Sequence, residues 1–250
     1  MRVRRHKAFF ILALLIAVPL FAAKFWETKE FTSWTDKECN EILSKSPWAY
    51  SNSFGEVPPI GAQTAGIDSR SQGLGDPNFG EAESTQVFEF RLMTAKPIRM
   101  AFARMQLLQK PNDPALMDQV MKYVNAPPEK EIVIQINYRS VPTGSSAVQD
   151  IHRYFLGANL ADFRASTSLA SDKSGIVPIA AYLPPAPNRS LPAFVFPRLK
   201  DTGEPNFTVE TKQITFRSEF TPLVGAKKMK YDIFVKMNTK QMIFKEELAF

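Results

Sequence analysis

The sequence contains very few of the side chains that bind metals or act as nucleophiles and bases. Of its 250 residues one is cysteine, Cys39, and two are histidine, His6 and His152. A single cysteine cannot form a disulfide within the chain, so the fold depends on apolar burial for its stability. His6 lies in an N-terminal segment that we interpret below as a signal peptide. His152 and Cys39 alone are too few for a zinc site of cysteine and histidine ligands.

Motifs of serine hydrolases and of phosphate-binding loops are also missing. Residues 144–147, Gly-Ser-Ser-Ala, lie between a predicted strand and a predicted helix, but Val148 stands where the motif G-x-S-x-G requires its second glycine. Ser146 and His152 are six residues apart on that helix and therefore lie on different faces. We expect Ser146 to cap the helix in a capping box with Gln149, and His152 to be a half-buried structural residue.

The first 23 residues have the layout of a secretory signal peptide. A basic stretch over residues 2–7 is followed by an apolar run over residues 8–21, and the small residues Ala22 and Ala23 come next. The apolar run is short for a membrane-spanning helix. The segment predicts export to the periplasm or the extracellular space. Cleavage after Ala22, cleavage after Ala23 and retention as an uncleaved anchor all stay open.

Most of the excess positive charge belongs to this N-terminal segment. The whole chain has a net charge of +6, but residues 1–23 hold four of the 31 basic side chains and none of the 25 acidic ones. The remainder has 27 basic and 25 acidic side chains, a net charge of +2. Nucleic-acid binding requires a concentrated basic patch, so we expect no nucleic-acid partner.

The remainder of the chain divides into three regions. Residues 24–50 are rich in aromatic side chains with helical spacing, and we call them the N-terminal clasp. Residues 51–84 contain six of the eleven glycines and no regular apolar pattern, which predicts a long flexible loop or linker. Residues 85–250 keep a globular pattern throughout and are predicted to form a single domain.

Apolar periodicity in residues 85–250 predicts an α+β fold. Alternation of apolar and polar residues indicates strands, and apolar stripes at helical spacing indicate helices. The predicted order is a strand at 88–92, helices that begin at Pro97 and after Asp113, a strand at 132–138, a helix from Ser146 to about residue 163, and strands near 176–183, 192–198, 207–217 and 228–237. This order favours a mostly antiparallel sheet with three to four helices, preceded by the signal peptide, a short amphipathic helix in the clasp and the long loop.

Within the clasp, two tryptophans and the one cysteine lie close together in the sequence. Thr35 followed three residues later by Glu38 predicts a capping box, which opens a short amphipathic helix. Cys39 falls on the apolar face of that helix, so we interpret it as a packing residue and not a reactive thiol. Trp34 and Trp48 flank the helix and are predicted to dock it. Their far side, if exposed, is a possible interaction surface.

The same stretch carries a family resemblance. The resemblance rests on Phe31, Trp34, Asp36 and Glu38 of the run F-x-x-W-[ST]-D-K-E, on the motif SPWA at 46–49, and on the later helix start AKPIRMAFAR. With the signal peptide, these features resemble a group of uncharacterised exported bacterial proteins. The resemblance implies export and a shared architecture, and it implies no activity.

These observations favour an exported envelope or periplasmic protein that acts by binding or by structural interaction, without catalysis and without a cofactor. Its partner would be another envelope protein or an anionic envelope surface, and the membrane itself only if the signal is uncleaved. Lys228, Lys230 and Lys236 could contact such a surface, although a solvated strand face is the simpler interpretation. A carboxylate-dependent hydrolase is one alternative, because the pair of acidic side chains that such an enzyme needs leaves no local motif in a sequence. A signal-anchored membrane accessory protein is the other alternative.

Overall fold

A computed structural model describes residues 24–55, 84–127, 130–187 and 189–250. The predicted signal peptide and most of the predicted loop lie outside the described residues. Two short 3₁₀ helices, Phe31–Ser33 and Thr239–Met242, and six α-helices are present in these ranges. The α-helices are α1 (Phe25–Thr28), α2 (Asp36–Lys45), α3 (Lys96–Gln109), α4 (Pro114–Asn125), α5 (Ser146–Gly157) and α6 (Leu160–Arg164).

The strands of the described residues form two larger antiparallel sheets and two small hairpins. The first sheet has the order β1 (Ala49–Phe54), β2 (Thr85–Leu92), β3 (Glu131–Val141), β7 (Ala193–Pro197) and β6 (Ala181–Leu183). The second has the order β11 (Tyr231–Asn238), β8 (Gln213–Phe220), β4 (Ser168–Ser171) and β5 (Gly175–Pro178). The hairpins are β9 (Leu223–Val224) with β10 (Lys227–Lys228), and β12 (Ile243–Phe244) with β13 (Glu247–Leu248).

The core lies between the apolar faces of the two larger sheets. Side chains of strands alternate between the two faces of a sheet, and β11 has strictly alternating buried and exposed residues. Phe90 of the first sheet lies 5.4 Å from Phe216 of the second between ring centroids, and Phe88 lies 4.8 Å from Tyr231. The order of elements and the mostly antiparallel sheets confirm the predicted α+β class.

Helix α5 contacts both sheets through one aromatic side chain. The ring centroid of Phe155 lies 5.4 Å from that of Tyr138 on β3 and 5.1 Å from that of Phe220 on β8. Phe155 lies near the C-terminal end of α5, and at the other end hydrogen bonds join Ser145 to Ser84 beside the start of β2 and Asp150 to Gly225 of the turn between β9 and β10. The candidate site described below is formed at that position.

Several predicted elements differ from the observed ones. Four α-helices, α3 to α6, follow residue 85 in the described ranges, which agrees with the three to four expected, but the helix predicted from Ser146 to about residue 163 is two helices. Ala158 is the C-cap of the first and Asn159 the N-cap of the second: the Asn159 side chain accepts from the Ala161 N–H at 2.9 Å, and an Asp162 carboxylate oxygen accepts from the Asn159 N–H at 2.8 Å. The N-cap of α5 is Ser145, one residue before the predicted Ser146.

The observed strand boundaries also differ from the predicted ones. Residues 51–54, predicted as the start of the loop, belong to β1, which pairs along its length with β2. The predicted strand at 176–183 is two strands that belong to different sheets, because β5 pairs with β4 and β6 pairs with β7. The predicted strand at 207–217 begins at Gln213. Short strands such as β4 contain too few residues for a distinct alternation.

The N-terminal clasp has the predicted capping box and packing. Thr35 Oγ1 accepts from the Glu38 N–H at 3.2 Å, and a Glu38 carboxylate oxygen accepts from the Thr35 N–H at 2.7 Å. Trp34 and Trp48 are fully buried, so they belong to the core and present no surface for an interaction. Cys39 is fully buried too, and this burial raises the pKa of its thiol to about 11, which confirms a packing residue.

Glu38 makes part of the stability of the clasp dependent on pH. Hydrogen bonds from Lys29 and from the Thr35 N–H lower the pKa of Glu38 from 4.5 to about 2. Stability from this carboxylate is therefore fully present above pH 4.5 and is lost as the pH falls through about 2. We expect Glu38→Gln to lower the free energy of unfolding by about 1 kcal/mol at pH 7, a small value because the carboxylate is near the surface. At pH 2 the loss should be much smaller, because the wild-type carboxylate is then being protonated.

Urea unfolding of wild type and Glu38→Gln between pH 2 and pH 7 measures this dependence. Asp118→Gln is a suitable control, since Asp118 lies on the exposed face of α4. A difference between wild type and Glu38→Gln that stays constant over the whole range would contradict the assignment.

Candidate functional site

A groove of about 600 Å³ lies where the start of β2, the N-terminal end of α5 and the hairpin β9–β10 meet. Gly55 and Ser84, which bound one of the chain segments outside the described residues, both line it. Its described lining combines apolar side chains, a chain of hydroxyl and amide groups, and two lysines. A volume between about 300 and 1,000 Å³ with this mixture is typical of sites for small molecules.

The apolar part of the lining comes from three separate segments of the chain. Phe54 ends β1, Val224 belongs to the hairpin, and Met229 and Tyr231 come just after it. The ring centroids of Phe54 and Tyr231 lie 5.1 Å apart in an edge-to-face arrangement. These side chains form a wall against which a flexible apolar group could be buried.

The polar part is a hydrogen-bonded row that leads to the end of α5. Gln86 Nε2 donates to the Ser84 carbonyl at 2.6 Å and to Ser84 Oγ at 2.9 Å. Ser84 Oγ in turn donates to Ser145 Oγ at 2.9 Å, and Ser145 Oγ accepts from the Ala147 N–H at 3.2 Å. The row therefore ties the start of β2 to the N-cap of α5 and fixes this wall of the groove.

The charged side chains of the described lining are both cations, Lys227 and Lys230. Lys230 Nζ lies 2.8 Å from a carboxylate oxygen of Glu219, which neutralises part of its charge. Within the described ranges Lys227 takes part in no ion pair. The N-terminal end of α5 adds partial positive charge from its backbone dipoles. The electrostatics of the groove therefore favour an anion.

Asp150 on α5 holds the hairpin β9–β10 in place beside the groove. Its Oδ2 accepts from the Gly225 N–H at 2.7 Å, and its Oδ1 accepts from Arg153 Nη1 at 2.8 Å. The hydrogen bond from Gly225, followed by that from Arg153, lowers the pKa of Asp150. Gly225 has a φ of +58°, which favours glycine at this turn. The carboxylate thereby sets the position of Lys227 on the hairpin.

Tyr231 brings a buried polar group to the groove. The residue is 1% exposed and lines the groove, and its hydroxyl has no hydrogen-bond partner among the residues described. A buried hydroxyl without a partner costs about 1–3 kcal/mol. The folded chain thus keeps a donor and acceptor at this wall whose hydrogen-bonding capacity is unused.

Removal of this hydroxyl should stabilise the protein. We expect Tyr231→Phe to raise the free energy of unfolding by about 1 kcal/mol in the absence of ligand, measured by urea unfolding. Tyr182→Phe is the matched control, because the Tyr182 hydroxyl donates to the Phe155 carbonyl at 2.5 Å and its loss should destabilise by a similar amount. Destabilisation by both substitutions would mean that the Tyr231 hydroxyl is satisfied in solution.

The groove contains two of the candidate residues considered from the sequence, Ser146 and Lys230, and lacks the others. Ser146 lines it, next to the N-cap of α5. His152 is half-buried, as expected, and its Nδ1 lies 2.5 Å from the Tyr138 hydroxyl, away from the groove lining. Trp34 and Trp48 lie in the clasp core and also take no part in it.

Sequence reasoning missed the groove because its parts are far apart in the chain. Lys230 was identified only as one of several lysines on a solvated strand face, and Lys227 was not considered. A glycine at 225 followed by basic residues at 227, 228 and 230 was the available signal for a charged hairpin. Nothing local indicated that this hairpin lies against the end of α5.

In the described part of the chain no group of three or more histidine, cysteine, aspartate or glutamate residues is arranged to hold a metal ion. None of the helices described is both long enough and apolar enough to cross a membrane. Comparisons with protein-family models, with curated proteins and with solved structures find no match. The resemblance to a group of exported proteins therefore stays a prediction.

Proposed function

We propose that the chain is an exported envelope or periplasmic protein that acts by binding, and that its groove takes an amphipathic anion. Such a ligand has a flexible apolar chain and one acidic end, as in a fatty acid. The observation that carries the proposal is the joining of an apolar wall, Phe54, Val224 and Met229, to a wall with Lys227 and Lys230 in one concave site.

The two walls suit the two parts of such a ligand. Each methylene group that is buried against the apolar wall contributes about 0.8 kcal/mol. The acidic end gains from the charge of Lys227 and from the N-terminal end of α5, in a partly buried site where water screens the charges less.

The chemistry of the described lining suits binding better than hydrolysis. Carboxylate-dependent hydrolysis needs a pair of acidic side chains on opposite sides of the bond that is cleaved. The groove offers lysines and hydroxyl groups instead of such a pair. No observation at this site therefore favours the hydrolase alternative.

Titration calorimetry with two detergents of equal tail length tests the proposal. We expect the exported protein to bind dodecanoate saturably, with a dissociation constant on the order of 10 µM. Dodecyltrimethylammonium, which has the same tail and the opposite charge, should bind at least about tenfold more weakly. Equal affinity for both would remove the anionic specificity, and absence of binding by both would overturn the proposal.

Export is a separate part of the proposal and has its own test. N-terminal sequencing of the protein recovered from the cell envelope should begin at Ala23 or Lys24, after cleavage of the signal peptide. A protein that still begins with Met1 would instead be anchored, and its groove would be held near the membrane surface.

A further inference from the structure

A second positively charged site lies at the N-terminal end of α3 and shares no lining residue with the groove. Helix N-termini have unpaired N–H groups and a partial positive charge, which aspartate, serine or threonine usually satisfy. Here the N-cap is Ala95, which has no polar side chain, and the first helical residues are Lys96 and Pro97. The first turn has a basic residue and no acidic one.

Arg99, one turn into the same helix, is a buried cation. Its side chain is 5% exposed, and no described carboxylate forms an ion pair with it. Burial of a charge is costly unless the charge is paired. Arg99 therefore has no carboxylate partner among the described residues, and its guanidinium carbon lies 5.8 Å from the ring centroid of Tyr123.

One part of the guanidinium has a structural role. Nη1 donates to the Tyr123 carbonyl at 3.2 Å, and both Nη1 and Nη2 lie 3.5 Å from the Ala126 carbonyl. These carbonyls are at the C-terminal end of α4, where a cation is favourable. This role accounts for the burial of Arg99, but it uses mainly one edge of the group.

The other edge of the guanidinium makes no short hydrogen bond. Nε has no hydrogen-bond partner in the described ranges, and Nη2 has only the long contact to Ala126. Nε–H and Nη2–H together form the fork that binds two oxygens of a carboxylate or phosphate. Arg99 therefore retains the donors that recognise an oxyanion.

A cavity of about 180 Å³ adjoins this helix end. Thr94, Lys96 and Arg99 line it on one side, Asn125 lines it from the end of α4, and Glu247 of the β12–β13 hairpin lines it on another side. Glu247 is the one acidic side chain of the described lining, against two basic ones. The cavity is thus small, and among its described charged side chains the basic ones outnumber the acidic one.

We propose that this cavity binds a small oxyanion, the phosphate or carboxylate group of a solute, between Arg99, Lys96 and the N-terminal end of α3. The inference is independent of the groove, since the two sites share no lining residue. The oxyanion would supply both the missing charge partner of Arg99 and the missing cap of the helix.

Thermal unfolding in inorganic phosphate, compared with chloride at equal ionic strength, tests the site. We expect phosphate to raise the Tm of the full exported chain saturably, by about 3 °C or more at ten times its dissociation constant. Acetate is the parallel arm: stabilisation by acetate assigns a carboxylate group, and stabilisation by phosphate alone assigns a phosphate group.

The variants locate the effect. Arg99→Lys keeps the positive charge but removes the fork, and it should weaken the anion-dependent shift at least tenfold. Lys96→Met, at a half-exposed position, should weaken it severalfold and serves if Arg99→Lys fails to fold. Arg164→Lys on an exposed helix face and Lys227→Glu in the groove should leave it unchanged. Equal shifts in wild type and Arg99→Lys, or no shift in wild type with either anion, would overturn the proposal.

Discussion

Trp48→Ala should lower the free energy of unfolding by about 4 kcal/mol, the largest effect on stability that we expect from any substitution proposed for this protein. The side chain is fully buried and lies between two other aromatic rings, at 6.2 Å from Trp26 and 6.5 Å from Phe244 between centroids. It therefore joins the N-terminal clasp to the β12–β13 hairpin near the other end of the chain. Its removal leaves a cavity that neither side can easily fill.

Urea unfolding measures the effect, and two further variants test whether it comes from the loss of a buried aromatic ring. Trp48→Phe should cost much less, because it keeps an aromatic ring and removes an indole N–H that has no partner among the described residues. Phe234→Ala removes an aromatic ring that is 50% exposed on the outer face of β11, and it should cost less than about 1 kcal/mol. A loss below about 1 kcal/mol for Trp48→Ala would mean that the clasp is not docked in solution.

The double substitution Lys227→Glu and Lys230→Glu should weaken dodecanoate binding by about 100-fold. It replaces both cations of the described groove lining with anions, so attraction of the acidic end of the ligand becomes repulsion. Most of the loss should come from Lys227, because Lys230 is already paired with Glu219. Titration calorimetry with dodecanoate measures both the double variant and the single ones.

A matched control separates a local effect from a change in net charge. Lys236→Glu and Lys240→Glu change the net charge by the same amount at two exposed positions that do not line the groove. This second double variant should bind dodecanoate within about threefold of wild type. Equal losses in the two double variants would show that the ligand responds to overall charge and has no defined site at the groove.

Local patterns in the sequence predicted the parts of the fold that depend on neighbouring residues. The alternation in β11 and the capping box of Thr35 and Glu38 are both observed, because side-chain alternation and cap geometry are fixed within a few residues. The break at Asn159 could also have been found, since Asn159 and Asp162 have the spacing of a second capping box. The apolar stripe of the predicted helix continues across Asn159, so the stripe alone did not indicate the break.

The candidate site could not be predicted in this way. Phe54, Ser84, Ser145 and Lys227 meet only because β1 pairs with β2 and because Asp150 of α5 binds the hairpin turn at Gly225. Each of these is a long-range contact with no local pattern. The burial of Trp48 is a related case: the sequence indicated that it docks a helix, but its contact with Phe244 of the distant β12–β13 hairpin has no local pattern.

Amide chemical shifts of the exported protein, followed during titration with dodecanoate, test most directly whether the groove is the binding site. Our proposal predicts saturable changes at Gly55, Ser145, Gly225 and Lys227, with small changes elsewhere. The outer face of the second sheet also exposes large apolar side chains, with Ile176 at 76% and Phe234 at 50%. Changes that centre on those two residues, and leave the groove residues unshifted, would contradict the proposal.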